Sequence, residues 1–590
     1  MRVCLVGAGP RGTGVLQRLG VLARRRGSRL SVEVVDPFPA GAGRIWRRDQ
    51  SSLLWMNSPV TAVSMFDGTD GLAPLTAWAD ALPEDADPVL LDAIGRSRDR
   101  RFADRPVVGA YLEWAFTRAV RGVDRVRVHR DRVVDLTDGD DGEQLVHLSA
   151  RPEPLCVDAV VLAQGHVDTA PDPATAAFGE HACAHGLYYR PPAHAAPIDE
   201  TELPPGTDVL VRGLGLTFVD LVTLLTQGRG GRFVDRDDGE LAYLPSGREP
   251  VLHAGSRRGV PYRSKPGPDL REAAPPLPCV LTPDALPPGP LDFRAHVLPL
   301  ALREMVAGHY HELRHAHPRR TTVPWEEFHD RLRDPSHPVT TLVGRAIPDP
   351  ADRFDPELLT DPLAGIGPGL EALQQRVRRH IARDLRLRHD PDAGGEAGAI
   401  AGINSALTTT LELVTAGRIT ADSVRRDVEG AFLPFGSYLT SGPPGRRLRE
   451  LLALSRAGVV RFLGPRLKVR LDGPAFQAEG PALGRPVRAR HLIDARLPAD
   501  DLDRSTDPLL VALRGRGEAT ADPGTGRLAI REPDHRMLLR GGDVHPRRFA
   551  VGPCVAGVTP PGRGPAGIDF FEVNDRVARE ILTRTTAGAD

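Results

Sequence analysis

The feature that most restricts what this chain can fold into lies at its N-terminus. Residues 3–6 form a short apolar run that ends in Gly7-Ala-Gly9-Pro10-Arg-Gly12, after which residues 15–19 place apolar side chains at helical spacing. A second β-branched run, residues 32–35, ends on Asp36, 24 positions after Gly12. Strand, glycine turn, helix, strand and acid in this order make up the fingerprint of a dinucleotide-binding βαβ unit. Gly7 turns the chain, Gly9 lets the backbone approach a pyrophosphate, and Gly12 lets helix and strand pack closely. The pyrophosphate is expected on the helix N-terminus, where unpaired N–H groups and the dipole favour negative charge; Asp36 is expected to meet a ribose hydroxyl.

A glycine-rich loop follows, from Pro37 through Gly41 and Gly43 to Arg44 and Trp46, where the far side of a bound dinucleotide would lie. An apolar run over residues 53–56 then ends in Asn57, which reads either as a turn cap or as a ligand contact. Residues 106–116 have the pattern of a packing helix, and residues 126–134 and 145–149 read as strands. Over residues 158–166 a further strand runs into a tight turn at Gln164-Gly165-His166, with His166 read as a loop histidine and not a catalytic one.

Residues 208–220 repeat the N-terminal pattern: an apolar strand breaks at Gly213-Leu-Gly215 and continues into a helix through Thr217. Phe218 stands where a third glycine would be, so this helix must pack differently on its strand. A later strand, residues 251–255, ends in Ser256-Arg257-Arg258. At the end of the second strand of such a unit, arginine accommodates the 2′-phosphate of NADP, and the guanidinium fork matches phosphate, which favours NADPH over NADH. Arg263 and Lys265 continue the positive loop and face either the cofactor or an acidic substrate.

Residues 270–295 are rich in proline and mark a boundary, and from residue 293 to 388 the pattern turns helical. His309, His311, His315 and His317 have spacings that permit metal binding, but no carboxylate or cysteine pattern completes a ligand set; a polar helix face and no metal are expected. Around Asn404 polar residues are flanked by apolar ones, as in a pocket lining. Residues 435–447, ending on Arg447, form a turn-rich segment ahead of another helix. The C-terminus returns to a strand at residues 548–552, ending on Gly552, and a last helix begins near residue 568.

Composition excludes several classes. A length of 590 residues corresponds to about three or four structural units. With 76 basic and 77 acidic residues the net charge is −1, which gives no footprint for nucleic acid or an anionic membrane. The five cysteines are scattered without a CxxC pair, as in a reducing compartment, and argue against a disulfide scaffold or redox dithiol. No apolar run reaches the length of a membrane span and no signal peptide precedes the first strand, so a cytoplasmic protein is expected. Nothing in the pattern excludes a homo-oligomer.

Together these segments resemble the bacterial FAD/NAD(P)-binding family of two-dinucleotide flavoproteins. The resemblance is carried by GAGPRG at 7–12, LLWMNSP at 53–59, AQGH at 163–166, GLGLTFVD at 213–220, SRRG at 256–259 and TSGPPGRR at 440–447. It implies an α/β fold of two Rossmann-like dinucleotide-binding domains with a largely helical insertion. The expected division is an FAD-binding domain over 1–198 and 501–590, an NADPH-binding domain over 199–292 and 431–500, and the insertion over 293–430. In such flavoproteins an Ala-Thr-Gly strand end touches the flavin nucleotide, and here Gln164 replaces the threonine ahead of Gly165; a late glycine, here Gly552, brings the tail back to the flavin. Among relatives with assigned chemistry the chain is similar to flavin-dependent amino-acid N-monooxygenases. That similarity implies FAD, NADPH, dioxygen and a small amine or amino-acid substrate. An acidic substrate such as aspartate would need cations for its carboxylates, for which Arg44, Arg263, Lys265 and Arg447 are the candidates by placement. No catalytic side chain stands out, as expected where the cofactor carries the reaction.

Overall fold

In a computed structural model of the chain, the described residues are 1–68, 73–194, 202–268, 270, 275–556 and 568–584. Two compact units are present: Met1–Pro171 with Pro498–Thr559 and the C-terminal helix form one, and Asp172–Leu497 the other. The chain thus crosses between units at 171/172 and 497/498, where the sequence reading placed crossings at 198/199 and 500/501. The first difference comes from Tyr188–Arg190, a short strand that pairs in parallel with His491–Asp494 in the sheet of the second unit.

The first unit is built on a seven-stranded sheet in which β1 (Arg2–Val6) is an interior strand, flanked by β2 (Ser31–Val35) and by Ala159–Leu162, both parallel to it. Beyond β2 lies Arg125–His129; beyond Ala159–Leu162 lie Val544–Ala550, Arg536–Leu538 and Ile530–Arg531, of which Arg536–Leu538 is antiparallel to both its neighbours. A central parallel strand is covered on both faces, which is why β1 reads as an unbroken apolar run, and Val3, Cys4 and Leu5 are fully buried. Helix α1 (Pro10–Arg25) lays Val15, Leu16 and Leu19 on the sheet and ends in Arg24 and Arg25, which suit the negative end of its dipole. A side chain at Gly14 would strike Phe570 and Asn574, so this glycine lets the C-terminal helix Ile568–Arg584 lie close against α1. There Arg18 Nε donates to Asp575 at 3.0 Å.

The stretch expected as one strand over 126–134 is two, Arg125–His129 in the large sheet and Val133–Asp138 in a separate three-stranded antiparallel sheet. Asp131 makes the break: its carboxylate accepts from the N–H groups of Arg132 and Ala150, which folds the chain into a turn. The helix expected over 106–116 runs Arg105–Val120, capped by Asp104, whose side chain accepts from the Val107 N–H.

The second unit carries a five-stranded, all-parallel sheet in the order Val460–Gly464, Val251–Gly255, Asp208–Arg212, His491–Asp494, Tyr188–Arg190. The chain between Val251–Gly255 and Val460–Gly464 is largely helical, and its apolar faces share one core with the sheet through residues such as Leu252, Leu373, Ile403 and Phe432. Helices Leu298–Ala316 and Glu396–Thr415 cross at Gly308, Gly398 and Gly402, where backbone meets backbone with no room for a Cβ. Buried Glu304 at this crossing accepts from the N–H groups of Cys279, Val280 and Leu281, satisfying a proline-rich stretch that has no ladder partner.

Candidate active site

In both units the glycine turn follows an interior strand at the carboxyl end of its parallel neighbours, the position where open α/β sheets bind nucleotides. In the first unit Gly7 sits at φ +108°, and a Cβ there would lie 2.3 Å from the Ala163 carbonyl oxygen. A Cβ on Gly12 would lie 2.0 Å from the Gly7 carbonyl oxygen, so that glycine is what lets α1 start directly on the turn. Gly9 differs: its φ is −69°, and the nearest atom to an added Cβ is Gly43 Cα at 3.8 Å. The face of Gly9 is therefore open. It precedes α1 without a side-chain cap, so the first-turn N–H groups point to whatever fills the adjoining space.

That space is a cavity of about 530 Å³. Of the residues singled out from the sequence, Gly7, Gly9, Pro10, Asp36, Pro37, Arg44, Trp46, Gln164 and Gly165 line it; Gly12 lies beneath the turn, and Gly552 sits beside Gly165, its added Cβ 3.9 Å from the Gly165 Cα. Asn57 is not among the lining residues. Buried Asp36 accepts from the Ala8 N–H at 2.6 Å and the Phe38 N–H at 2.7 Å, tying the glycine turn to the loop after β2. Burial pushes its carboxyl above the usual range, against the pull of those two N–H groups and of Arg132. Each of its oxygens keeps a lone pair for a further donor.

Sequence reasoning missed several wall residues: Asp131 and Arg132, Asp507, and Phe570, whose ring lies 4.7 Å under the Arg11 guanidinium. Asp507 caps the helix Pro508–Arg516 and accepts from Gln164 Nε2 at 3.1 Å. The Asp507-Pro508 pair signals a helix start in the sequence, but nothing local signals its partner 343 positions away. His166 also lines the cavity, with Asp500 Oδ1 3.6 Å from its Nδ1. Arg44, a candidate for a substrate carboxylate, holds Asp168 in a bidentate pair at 2.9 and 3.0 Å.

The second glycine turn has the same backbone, with Gly213 at φ +121° and Gly215 preceding helix Leu216–Thr226 through Thr217. Its face is covered: an added Cβ on Gly215 would lie 3.3 Å from Cζ of Tyr262. The two arginines at the end of Val251–Gly255 part company. Arg257 is exposed and donates to the Gly430 carbonyl at 3.3 Å. Arg258 stacks on Tyr438 at 4.9 Å and Phe435 at 5.6 Å, with its Nε buried.

The remaining residues considered for a substrate are not brought together. Arg263 is buried and paired with Asp384 at 2.6 Å and Glu396 at 2.8 Å, in a cluster that Arg388 completes at 3.1 Å from Glu396. Arg447 is buried and donates to Glu450 at 2.7 Å. Asn404 is exposed on Glu396–Thr415 and is not among the residues lining the cavity of the first unit. Lys265 is partly buried, donates to the Thr440 carbonyl at 2.6 Å and has no carboxylate partner among the described residues. Burial and the Arg388 charge push its amine down to about 8. The histidines at 309, 311, 315 and 317 form no metal cluster among the described residues.

Two sheets, each with a glycine turn at the carboxyl end of an interior parallel strand, give the architecture of a two-dinucleotide protein, and residues 4–167 match a family described as FAD-NAD(P)-binding. Over its whole length the chain is 35% identical to an L-aspartate N-monooxygenase (nitrosuccinate-forming) of Streptomyces cremeus, covering 96% of that protein. It is 34% identical to an enzyme of the same description from Streptomyces davaonensis, over 93% of this chain and 91% of the relative. To the nitrosuccinic acid synthase of Aspergillus oryzae it is 33% identical, over 99% of this chain and 93% of the relative. The chain belongs to the family of these nitrosuccinate-forming N-monooxygenases. It is a flavin-dependent monooxygenase with an FAD-NAD(P)-binding domain.

Proposed function

We propose that this protein uses FAD and NADPH to hydroxylate the amine nitrogen of a small acidic amino acid, L-aspartate foremost, toward nitrosuccinate. The observation that carries the reading is the full-length relatedness to enzymes of that description, on a first unit whose glycine cradle stands open. When bound, FAD would pass two electrons from NADPH to dioxygen, so that one oxygen atom could go to nitrogen and the other leave as water.

The chain's own part is binding, positioning and exclusion of water. The open face of Gly9 and the head of α1 hold the pyrophosphate, and Asp36 uses its remaining lone pairs for ribose hydroxyls. Gln164, Gly165 and Pro553 line the cavity beyond the ends of Ala159–Leu162 and Val544–Ala550, with Gly552 packed beside Gly165. Trp46, Phe38 and Phe570 supply apolar wall that keeps water out. Of the cations considered for an acidic substrate, Arg44, Arg263 and Arg447 are neutralised by Asp168, Asp384 with Glu396, and Glu450. Lys265 alone of these has no carboxylate partner among the described residues, so we assign it to a substrate carboxylate. The five cysteines are all free, in keeping with work in a reducing cytoplasm.

The test is NADPH oxidation in air by the FAD-loaded protein across the amino acids, with mass spectrometry of the products. Aspartate should raise the rate and gain oxygen at nitrogen. One slow rate for every amino acid, yielding only hydrogen peroxide, would sink the substrate assignment.

The two arginines should separate in kinetics. Exposed Arg257 has its fork available for a 2′-phosphate, so Arg257→Ala should raise the KM for NADPH about tenfold or more and leave that for NADH nearly unchanged. Arg258 is committed to two aromatic rings, and Arg258→Ala should lower the melting temperature while changing both KM values by the same small factor. Equal effects of Arg257→Ala on both coenzymes would refute the assignment.

A further inference from the structure

The helix Leu370–His389 lies along the open edge of the second unit's sheet and turns a row of positive charge to solvent. Leu373, Val377 and Ile381 fix its inner side in the core, and Gln374 does the work of a missing strand. The Gln374 amide donates to the Phe462 carbonyl at 2.8 Å and accepts from the Phe462 N–H at 2.9 Å, closing the edge strand Val460–Gly464. That strand ends beside the loop of Arg257, the residue assigned to the 2′-phosphate. The Arg466 N–H donates to the Arg257 carbonyl at 3.0 Å, and a Cβ on Gly464 would lie 3.2 and 3.3 Å from the Leu373 methyl groups. The helix therefore starts next to that loop.

Its outer face carries Arg376, Arg379, Arg383 and Arg386, all exposed. Steps of three and four residues set them in one row over about 15 Å of helix. On other helices Arg96 faces Asp92, Arg331 faces Glu327 and Arg579 faces Asp575, each one turn away; none of the four in this row has a carboxylate partner among the described residues. Like charges one turn apart repel and destabilise a helix, a cost that packing of the outer face does not offset. Burial, with Arg263, Arg383 and Arg376 and against the pull of Asp384, pushes the His380 imidazole on this helix down to about 4.

We propose that this arginine row is an electrostatic capture surface for NADPH, drawing the coenzyme's phosphates toward the second glycine turn without touching them in the final complex. The proposal rests on the assignment of NADPH to that turn. Charge complementarity selects the partner. NADPH carries a pyrophosphate and a 2′-phosphate, so the field of four cations speeds its encounter more than that of NADH, which lacks the second group. An exposed row acts on the rate of arrival and is screened by salt, whereas a cation in buried contact acts on departure.

The experiment is stopped-flow association of NADPH, and separately of NADH, with the dithionite-reduced, FAD-loaded protein under nitrogen, read by nicotinamide fluorescence across ionic strength. With the flavin already reduced no electrons move, so the trace reports binding alone. The combined variant Arg376→Gln, Arg379→Gln, Arg383→Gln and Arg386→Gln should associate with NADPH about tenfold more slowly at about 10 mM salt, and less than about twofold more slowly at about 0.5 M. The NADH rate should fall by a smaller factor and the dissociation rates should hold. The melting temperature should not drop, because like-charge repulsion is relieved. Lysine at the same four positions should keep the wild-type rates, since charge and not the guanidinium fork is at work. Unchanged association of the glutamine variant at low salt would overturn the proposal, as would a loss equal at every salt concentration, which marks direct contact. Unchanged coenzyme association with lost retention on heparin would overturn it in favour of a macromolecular polyanion. A wild-type protein that binds neither coenzyme would remove the NADPH assignment and this proposal with it.

Discussion

Gly9→Ala is expected to yield a folded protein that purifies without flavin. The substitution is mild for the polypeptide: φ at Gly9 is −69°, and the new Cβ would come no closer than 3.8 Å to Gly43 Cα. The same methyl projects from the open face of the turn into the space assigned to the pyrophosphate. Pushing a phosphate off two or so backbone N–H groups forfeits charge-assisted bonds worth about 1.5–3 kcal/mol each, or two to four orders of magnitude in affinity. The ratio of visible to ultraviolet absorbance after purification reads the flavin content, and the melting temperature should match that of stripped wild type. Stoichiometric flavin in this variant would refute the placement of the pyrophosphate. Gly12→Ala makes the contrast, because its Cβ would lie 2.0 Å from the Gly7 carbonyl oxygen and must push strand and helix apart. That change should lower the melting temperature whether or not flavin is present.

The second large effect is expected at Asp384→Ala. Asp384 accepts from Arg263 Nε at 2.6 Å and from the Ser264 N–H at 2.7 Å, and lies 3.5 Å from Arg388, all of them buried. Two guanidinium groups balance two carboxylates in this cluster. Removing Asp384 leaves both cations to Glu396 alone, and an uncompensated buried charge costs about 3–5 kcal/mol. The arginine charges hold the Asp384 carboxyl below the usual carboxylate range despite its burial, the direction expected of a favourable pairing. Denaturant unfolding should show the transition of the second unit at lower concentration with an unchanged slope. A midpoint within experimental error of wild type would show that water or a rearranged Glu396 replaces the lost charge.

The sequence carried the two glycine turns plainly, because their chemistry is local. Strand, turn and helix sit within a few residues of one another at Gly7–Gly9–Gly12 and again at Gly213–Gly215, and the backbone takes the expected form at both. What it could not carry were partners. Arg263 and Arg447 look like spare cations in a one-dimensional list of charges; folding brings Asp384 to the first across 121 positions, while the second finds Glu450 within one helical turn. Asp507 was invisible as a cavity residue for the same reason. The strand over 126–134 failed on a turn residue, Asp131, whose capping of Arg132 and Ala150 outweighed the β-branched run around it. Adjacent Arg257 and Arg258 read as a pair, yet aromatic rings from residues 435 and 438 claim one and leave the other exposed.

Tyr262 gives the two glycine turns different thermodynamic characters. The first is ready-made for its ligand, whereas a dinucleotide approaching Gly215 must first displace a ring already in van der Waals contact with that face. Apparent affinity at such a site is the intrinsic affinity multiplied by the fraction of molecules with the ring swung aside. If each turn holds a dinucleotide, the open turn at Gly9 is expected to keep its ligand more tightly than the covered turn at Gly215.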